Sequence, residues 1–246
     1  MFPPERAAVE NRLCLEMLSQ PDETTCGPTC LHAVYRYFGH DVPLEDVIRE
    51  VPSLEGGGTL AVFLGCHALR HGYRVRIYTY NLQLFDPTWF APGGPDLRER
   101  LVAQMRAKGD AKLRRATEGY LEFLDLGGEL RLEDLTPGLI RAHLDRGVPI
   151  VTGLSATYLY RGRREVPGEG SEDDVRGEPS GHFVVLCGYD RARHTVLVAD
   201  PFHPNPFADT HLYEARVERV LCSILLGVIT YDAKLLIVRP RTGRSR

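Results

Sequence analysis

The chain lacks the features that would hold it in a membrane, in an oxidising compartment or on nucleic acid. Its longest apolar run, residues 220–229, is far shorter than a membrane span, and its charged N-terminus has no apolar core of the kind found in secretory signals. Its six cysteines are too few for a disulfide scaffold and form no CxxC pair that would indicate structural zinc. A formal net charge of -3 creates no field that would attract nucleic acid or an acidic membrane. We therefore expect a cytoplasmic protein that binds neither of these partners and uses no cofactor or metal.

No internal repeat or low-complexity tract divides the 246 residues, of which 43% are hydrophobic. A chain of this length and composition can bury a core of its own, so we predict a single domain over residues 1–246. Helical patterns dominate the first half and apolar strand patterns the second. This order predicts an α+β fold in which an N-terminal helical half packs on a mostly antiparallel sheet.

Hydrophobic spacing and the positions of glycine and proline predict the individual elements. The predicted helices cover residues 26–38, 41–51, 56–72, 136–146 and 213–226. The predicted strands cover residues 74–80, 148–154, 182–189, 195–199 and 234–238. Residues 81–128 combine a Pro/Gly cluster with a charged helical pattern, and we interpret them as an insertion or lid. Residues 161–181 are rich in charge, glycine and proline without periodicity, which predicts a flexible loop.

A cysteine stands at the start of the first predicted helix, directly after a polar turn. Pro28 suits the first turn of that helix, where its missing N–H costs nothing. A helix N-terminus offers partial positive charge and unpaired N–H groups, which favour the thiolate form that attacks carbonyl groups. Gly27 has no Cβ, and we expect this to let a substrate backbone approach. Cys26 is therefore the predicted nucleophile.

Three further residues can complete the chemistry around Cys26. His182 begins an apolar strand just after the predicted loop, so its imidazole could face a cleft as a general base. Asp200 ends the next strand and could orient that base, whereas Asp190 lies at the opposite end of the strand that carries His182. Gln20, in the turn before the helix, could donate to an oxyanion beside the Cys26 N–H.

These motifs resemble those of a known family. The run QPDETTCGPTCL from Gln20, the sequence GHFVV around His182 and the sequence ADP around Asp200 are similar to the papain-like cysteine peptidase superfamily. They are most similar to the double-glycine leader peptidase family and its stand-alone, soluble relatives. The resemblance implies a papain-like fold, with Cys26 as nucleophile, His182 as base, Asp200 as its orienting residue and Gln20 as oxyanion donor. It also implies a thiol protease-like hydrolase that cleaves a peptide, isopeptide or related amide bond.

Other functions remain open on the same residues. If an amine reaches the acyl-enzyme before water, the same thioester intermediate gives an acyltransferase or transpeptidase. The fold could also serve as a non-catalytic module that recognises a peptide. A third reading uses Cys26, Cys30 and a histidine as metal ligands, although we expect Cys30 to be a core-facing thiol on the same helix.

Overall fold

The structure is a computed structural model that describes residues 11–54, 57–231 and 233–241. These residues contain an eight-stranded sheet. Its strands follow the order β3-β2-β8-β4-β5-β6-β7, with β1 paired to β5. All of the pairs are antiparallel except the parallel pair of β2 and β3. The strands are β1 Asn11–Arg12, β2 Tyr73–Thr79, β3 Glu129–Arg131, β4 Ile150–Ser155, β5 Gly181–Asp190, β6 Thr195–Ala199, β7 Leu212–Arg216 and β8 Lys234–Pro240.

Eight α-helices are present in the described residues. They are α1 Cys26–Tyr37, α2 Leu44–Glu50, α3 Ala61–Arg70, α4 Leu97–Ala107, α5 Ala111–Asp125, α6 Pro137–Leu144, α7 Ala156–Tyr160 and α8 Val217–Leu226. Short 3-10 turns cover Pro87–Phe90 and Gly227–Thr230. No helix in the part of the chain described by the structure has both the length and the apolar character needed to cross a membrane.

The two faces of the sheet are buried by different helices. Successive strand residues alternate between faces, so Val185 packs with α1, α3 and α5, whereas Val184 and Leu186 pack with α6 and α8 on the other face. The prediction of an α+β fold with N-terminal helices on a mostly antiparallel sheet is confirmed. The second helical layer, which comes from the later part of the chain, was not predicted.

Helix α1 begins and ends close to its predicted bounds. Its residues from Cys26 to Tyr35 are all buried, which explains why apolar spacing revealed it. Gly39 follows with a φ of 73°, and the N–H of His40 donates to the Tyr35 carbonyl at 2.9 Å. A glycine in this conformation stops a helix without the steric cost of a Cβ. The position of Gly39 therefore accounts for where the helix that carries Cys26 ends.

The predicted helix over residues 213–226 is wrong at its beginning. Residues 212–216 form β7, which pairs with β6 from Thr195↔Arg216 to Ala199↔Leu212. Tyr213 and Ala215 are buried while their neighbours are more exposed, which is the period-two pattern of a strand. The apolar run of α8 directly after it extended the helical pattern too far, so the helix begins only at Val217.

Residues 81–128 contribute to the main core. Leu101 of α4 and Tyr120 and Phe123 of α5 are fully buried in the same cluster as α3. Gly119 permits this packing, because a Cβ there would lie 2.6 Å from Phe63 Cε1. The interpretation of this segment as an insertion stays a prediction, as does the single domain.

The predicted loop at residues 161–181 contains turns and isolated bridges in place of long elements. Glu165 forms antiparallel bridges with Glu172 and with Glu178, which fold the segment back on itself between α7 and β5. Its flexibility stays a prediction.

Candidate active site

The hairpin of β5 and β6 brings His182 to Asp200. Val185 pairs with Ala199 across these antiparallel strands, so the beginning of β5 and the end of β6 lie at the same edge of the sheet. His182 Nε2 lies 2.8 Å from Asp200 Oδ1. The rival carboxylate, Asp190, lies at the far end of β5, where its Oδ1 accepts from the Arg193 N–H at 2.9 Å.

Asp200 is fully buried, and four donors surround its carboxylate. Oδ1 accepts from His182 Nε2 and from the Phe202 N–H at 2.9 Å. Oδ2 accepts from Tyr160 Oη at 2.7 Å and from Tyr213 Oη at 2.8 Å. Burial alone would raise the pKa of Asp200, but the hydrogen bond and charge of His182, helped by Tyr160 and the Phe202 N–H, lower it. Asp200 is therefore ionised and held in one orientation.

The imidazole of His182 contacts Cys26 as well as Asp200. Burial alone would lower the pKa of His182, but the charge of Cys26 and hydrogen bonds to Asp200 and Cys26 raise it to about 10. Because Nε2 engages Asp200, the other ring nitrogen, Nδ1, is the one available to the thiol of Cys26. The three side chains thus form a chain of contacts from sulfur to imidazole to carboxylate.

Cys26 is the first residue of α1 and keeps 8% of its surface exposed. No side chain caps this helix start at Thr25, so no capping group competes for its first N–H groups. The expected role of Gly27 in admitting substrate is wrong. A Cβ at Gly27 would point into the protein and lie 2.7 Å from Thr59 Cγ2, so this glycine allows close packing beside α3.

Gln20 is anchored beside Asp200 by its backbone. Its N–H donates to the Pro201 carbonyl at 2.9 Å, which joins the turn before α1 to the residue that follows Asp200. Its side-chain Nε2 donates to the Asp22 carbonyl at 2.8 Å. A carbonyl can only accept, so the amide must turn Nε2 to this side, and its second N–H stays available to a ligand.

His182 and Gln20 line one cleft of about 310 Å³. Rings of Tyr160 and Phe202 flank the imidazole, with centroids 6.1 and 6.3 Å from it. Most of the remaining wall comes from α7 and the loop after it, and the turn before α1 adds Glu23. The cleft lining carries more carboxylates than cations: Glu23, Glu165 and Glu172 against Arg163. A larger cavity of about 380 Å³ lies away from this chemistry, between the start of α6 and the turn after β5.

Cys30 lies one helical turn after Cys26 and faces the core. It is fully buried, and its thiol contacts the Phe183 carbonyl at 3.3 Å. Burial, the charge of Cys26 and the charge of Asp200 raise the pKa of Cys30 well above its ordinary value. Its thiol is therefore kept protonated. No cluster with metal-ligand spacing surrounds Cys26 and Cys30 within the described ranges.

Sequence reasoning missed the two tyrosines on Asp200. Tyr160 is forty positions from Asp200, and no local pattern joins them; only the packing of α7 beside β5 does so. Tyr213 was hidden by the incorrect helix, whereas a strand reading beside β6 would have placed it near Asp200. Both hydroxyls donate to the carboxylate of Asp200, and we expect them to hold it in position.

A comparison with known protein families finds one that is similar to part of this chain. Residues 137–217, which include His182 and Asp200, match the family described as "Peptidase_C39 like family". The match covers about a third of the chain, so it shows a similarity to this family over that segment. The family resemblance carried by the sequence motifs is thereby confirmed. No curated protein matches the chain.

Three solved structures are similar to this chain over most of its length. A protein described as a C39-like peptidase from Bacillus anthracis is 14% identical, with a TM-score of 0.48, over 95% of this chain and 100% of that one. Xylellain, a cysteine protease from Xylella fastidiosa, is 14% identical, with a TM-score of 0.45, over 98% of this chain and 91% of that one. A double glycine motif protease from an AMS/PCAT transporter, solved with the leader peptide, is 14% identical, with a TM-score of 0.45, over 94% of this chain and 96% of that one.

Proposed function

We propose that this chain is a cysteine peptidase-like hydrolase that cleaves a peptide, isopeptide or related amide bond. The observation that carries the proposal is the 2.8 Å hydrogen bond from His182 to the buried Asp200, on an imidazole whose other side meets Cys26. The similarity of residues 137–217 to a peptidase-like family supports the same class of reaction. The excess of carboxylates along the cleft favours substrates that are neutral or basic near the cut.

The first half of the reaction forms a thioester. Cys26, as a thiolate paired with the His182 imidazolium, attacks the substrate carbonyl carbon. A C–S bond forms, and the carbonyl oxygen takes the negative charge, held by the Cys26 N–H and by the free N–H of Gln20 Nε2. His182 then passes the proton on Nδ1 to the leaving amine as the C–N bond breaks.

The second half returns the thiolate. With the amine gone, neutral His182 takes a proton from water, and the resulting hydroxide attacks the thioester carbon. The C–S bond breaks, the acid leaves, and Cys26 and His182 are again a thiolate and an imidazolium. Throughout both halves Asp200 stays ionised, fixes the ring through Nε2–H and stabilises its positive charge.

Alkylation tests the activated cysteine without requiring a known substrate. At pH 6 an ordinary thiol is mostly protonated and reacts slowly with iodoacetamide, whereas a thiolate paired with imidazolium reacts at once. We expect Cys26 to be labelled at least about 100-fold faster than the exposed Cys14 and Cys222 of the same molecule. Peptide mass mapping after a timed quench measures the three rates together.

The His182→Gln variant identifies the partner in this experiment. It should lose the fast labelling of Cys26 at pH 6 and regain it only at alkaline pH, because no imidazolium remains to pair with the thiolate. The matched control is His194→Asn, which removes an exposed histidine outside the cleft. Equal labelling of Cys26 and Cys222 in the wild type at pH 6 would refute the activated nucleophile.

Gln20→Ala tests the oxyanion site separately. Loss of one such donor should lower kcat by about 10²–10³-fold and leave KM nearly unchanged, because the donor acts on charge that develops in the transition state. Steady-state kinetics on a cleaved peptide give both constants. Gln83→Ala, at an exposed position outside the cleft, is the control and should keep full activity. A Gln20→Ala enzyme with wild-type kcat would remove Gln20 from the mechanism.

A further inference from the structure

A second cluster of chemically active side chains lies outside the cleft. Glu50 is the last residue of α2, and His67 and His71 lie four positions apart at the end of α3. Residues with this spacing share one face of a helix, so both imidazoles meet the same carboxylate. Their rings stack with centroids 4.3 Å apart and an interplanar angle of 17°. The proposed hydrolase mechanism uses none of these three residues.

The spacing of the three groups matches a metal-bound arrangement. Glu50 Oε2 lies 3.3 Å from His67 Nε2 and 3.5 Å from His71 Nε2, and the three ligand atoms all lie within 4.8 Å of one another. Ligand atoms held about 2.0–2.1 Å from a tetrahedral zinc ion are about 3.3 Å apart. The side chains therefore need little movement to reach ligand positions.

The contact between Glu50 and His67 is close without being a hydrogen bond. His67 is 2% exposed, and its buried Nε2 has no partner with hydrogen-bond geometry among the described residues, although Glu50 Oε2 is within ion-pair distance. A buried nitrogen without a hydrogen-bond partner in the protein normally contacts a bound ion or a water molecule. In the tautomer that carries its proton on Nδ1, His67 presents the Nε2 lone pair toward the carboxylate oxygen, as a metal ligand would.

The surroundings of His67 fit a ligand role. Its other nitrogen, Nδ1, lies 2.8 Å from Tyr35 Oη. Metal-bound histidines commonly donate their second N–H to an oxygen in this way, which fixes the tautomer and the ring orientation. Arg49 contacts the other oxygen of Glu50, Oε1, at 3.4 Å, so Oε2 stays free for an ion.

We propose that Glu50, His67 and His71 bind one divalent ion of the zinc class, with water in the fourth position. Two imidazoles and one carboxylate suit zinc and similar transition metals, whereas calcium and magnesium prefer oxygen ligands alone. Glu50 and His71 are partly exposed, which gives the ion an entry path and gives the water its place. The ion would join the end of α2 to the end of α3, beside Tyr35 of α1.

The proposed site is separate from the cleft. Tyr35 follows Cys26 by nine residues along α1, which corresponds to about 13 Å at 1.5 Å per residue. The ion is therefore assigned a structural role in the helical layer. This proposal does not depend on the hydrolase function, and its tests do not use activity.

Metal binding to the full chain tests the proposal directly. Metal-free protein is titrated with Zn²⁺ against a chromophoric chelator, and with Co²⁺ while its visible absorption is recorded. We expect one equivalent of Zn²⁺, a tetrahedral Co²⁺ spectrum and a rise in Tm with added zinc. His71→Gln and Glu50→Gln should each weaken zinc binding by at least about 100-fold.

The controls separate this site from other ways of holding zinc. His194→Asn should bind zinc as the wild type does, because it removes a surface histidine elsewhere. Cys26→Ala should also bind normally, which would show that the thiol beside His182 is not the ligand. Glu50 is exposed at a helix end, so its variant should fold even if His71→Gln does not. The proposal is overturned if the wild type binds no zinc at micromolar concentrations, or if Glu50→Gln binds it equally well.

Discussion

Cys26→Ala is expected to lower kcat/KM for peptide cleavage by about 10⁴-fold or more. Without the sulfur no thioester can form, and His182 has no nucleophile to protonate or deprotonate. Any remaining rate would come from oriented water and the oxyanion donors alone. The loss should appear in kcat, because Cys26 is 8% exposed and contributes little surface to substrate binding.

The measurement begins with a mixed peptide library, in which new termini are read by mass spectrometry. The best-cleaved sequence is then made as a single peptide for kinetics. Cys222→Ala, which removes an exposed thiol on α8, is the matched control and should keep wild-type rates. Unfolding curves for both variants check that any loss is chemical, since thiol to methyl is a small change in volume. A Cys26→Ala protein that still cleaves at the wild-type rate would exclude the thioester mechanism.

Sequence patterns within short stretches of chain predicted the positions of Cys26, His182 and Asp200. Cys26 could be placed because Pro28 and Gly39 mark the two ends of its helix. His182 and Asp200 could be paired because a tight turn joins the two strands that carry them, so strand direction alone brings them together. The geometry of these residues agrees with that reasoning, while their catalytic roles are still proposals.

Contacts that depend on packing between distant elements could not be predicted in the same way. Tyr160 reaches Asp200 only because α7 packs beside β5 and β4. Tyr213 lies in a five-residue strand next to an apolar helix, and the longer helical pattern concealed its alternation. The direction in which Gly27 would project a side chain also depends on the packing around α1, so its role could not be inferred from composition.

The Glu50–His67–His71 cluster is a third case, because the sequence shows the spacing of its two histidines but not the carboxylate beside them. Two histidines four positions apart on a helix are a recognisable pattern of metal ligands. The carboxylate that completes the set lies seventeen positions before His67, on another helix, and only the packing of α2 and α3 brings it near. A pair of histidines alone is also common on ordinary helices, so the pattern predicts little until the third group is found.

Asp200→Asn is expected to lower kcat by about 10³–10⁴-fold while leaving substrate binding largely intact. The carboxylate accepts from four donors, and an amide offers only one acceptor oxygen in its place. Its NH₂ group would face either the two tyrosine hydroxyls or His182 Nε2. His182 would then lose the group that fixes its tautomer and stabilises its positive charge.

The same carboxylate should also matter for stability. Asp200→Ala leaves buried donors without an acceptor, which typically costs about 3–5 kcal/mol of unfolding free energy. Because the pKa of Asp200 is lowered in the folded protein, its stabilisation is present above its ordinary value near 4 and is lost as the pH falls through the lower folded value. The difference in unfolding free energy between wild type and Asp200→Asn should therefore shrink as the pH is lowered from about 4.

Asp190→Asn provides the matched control for both readouts. Asp190 is also buried and ends the strand that His182 begins, but its carboxylate lies at the opposite end of the hairpin. The substitution repeats the chemical change in the same hairpin without touching His182, so kcat should stay near the wild-type value. If Asp190→Asn reduces kcat as strongly as Asp200→Asn, the effect comes from the hairpin as a whole and the orienting role of Asp200 is wrong. If only Asp200→Asn reduces it, and Cys26 in that variant loses its fast alkylation at pH 6, the carboxylate acts through the imidazole of His182.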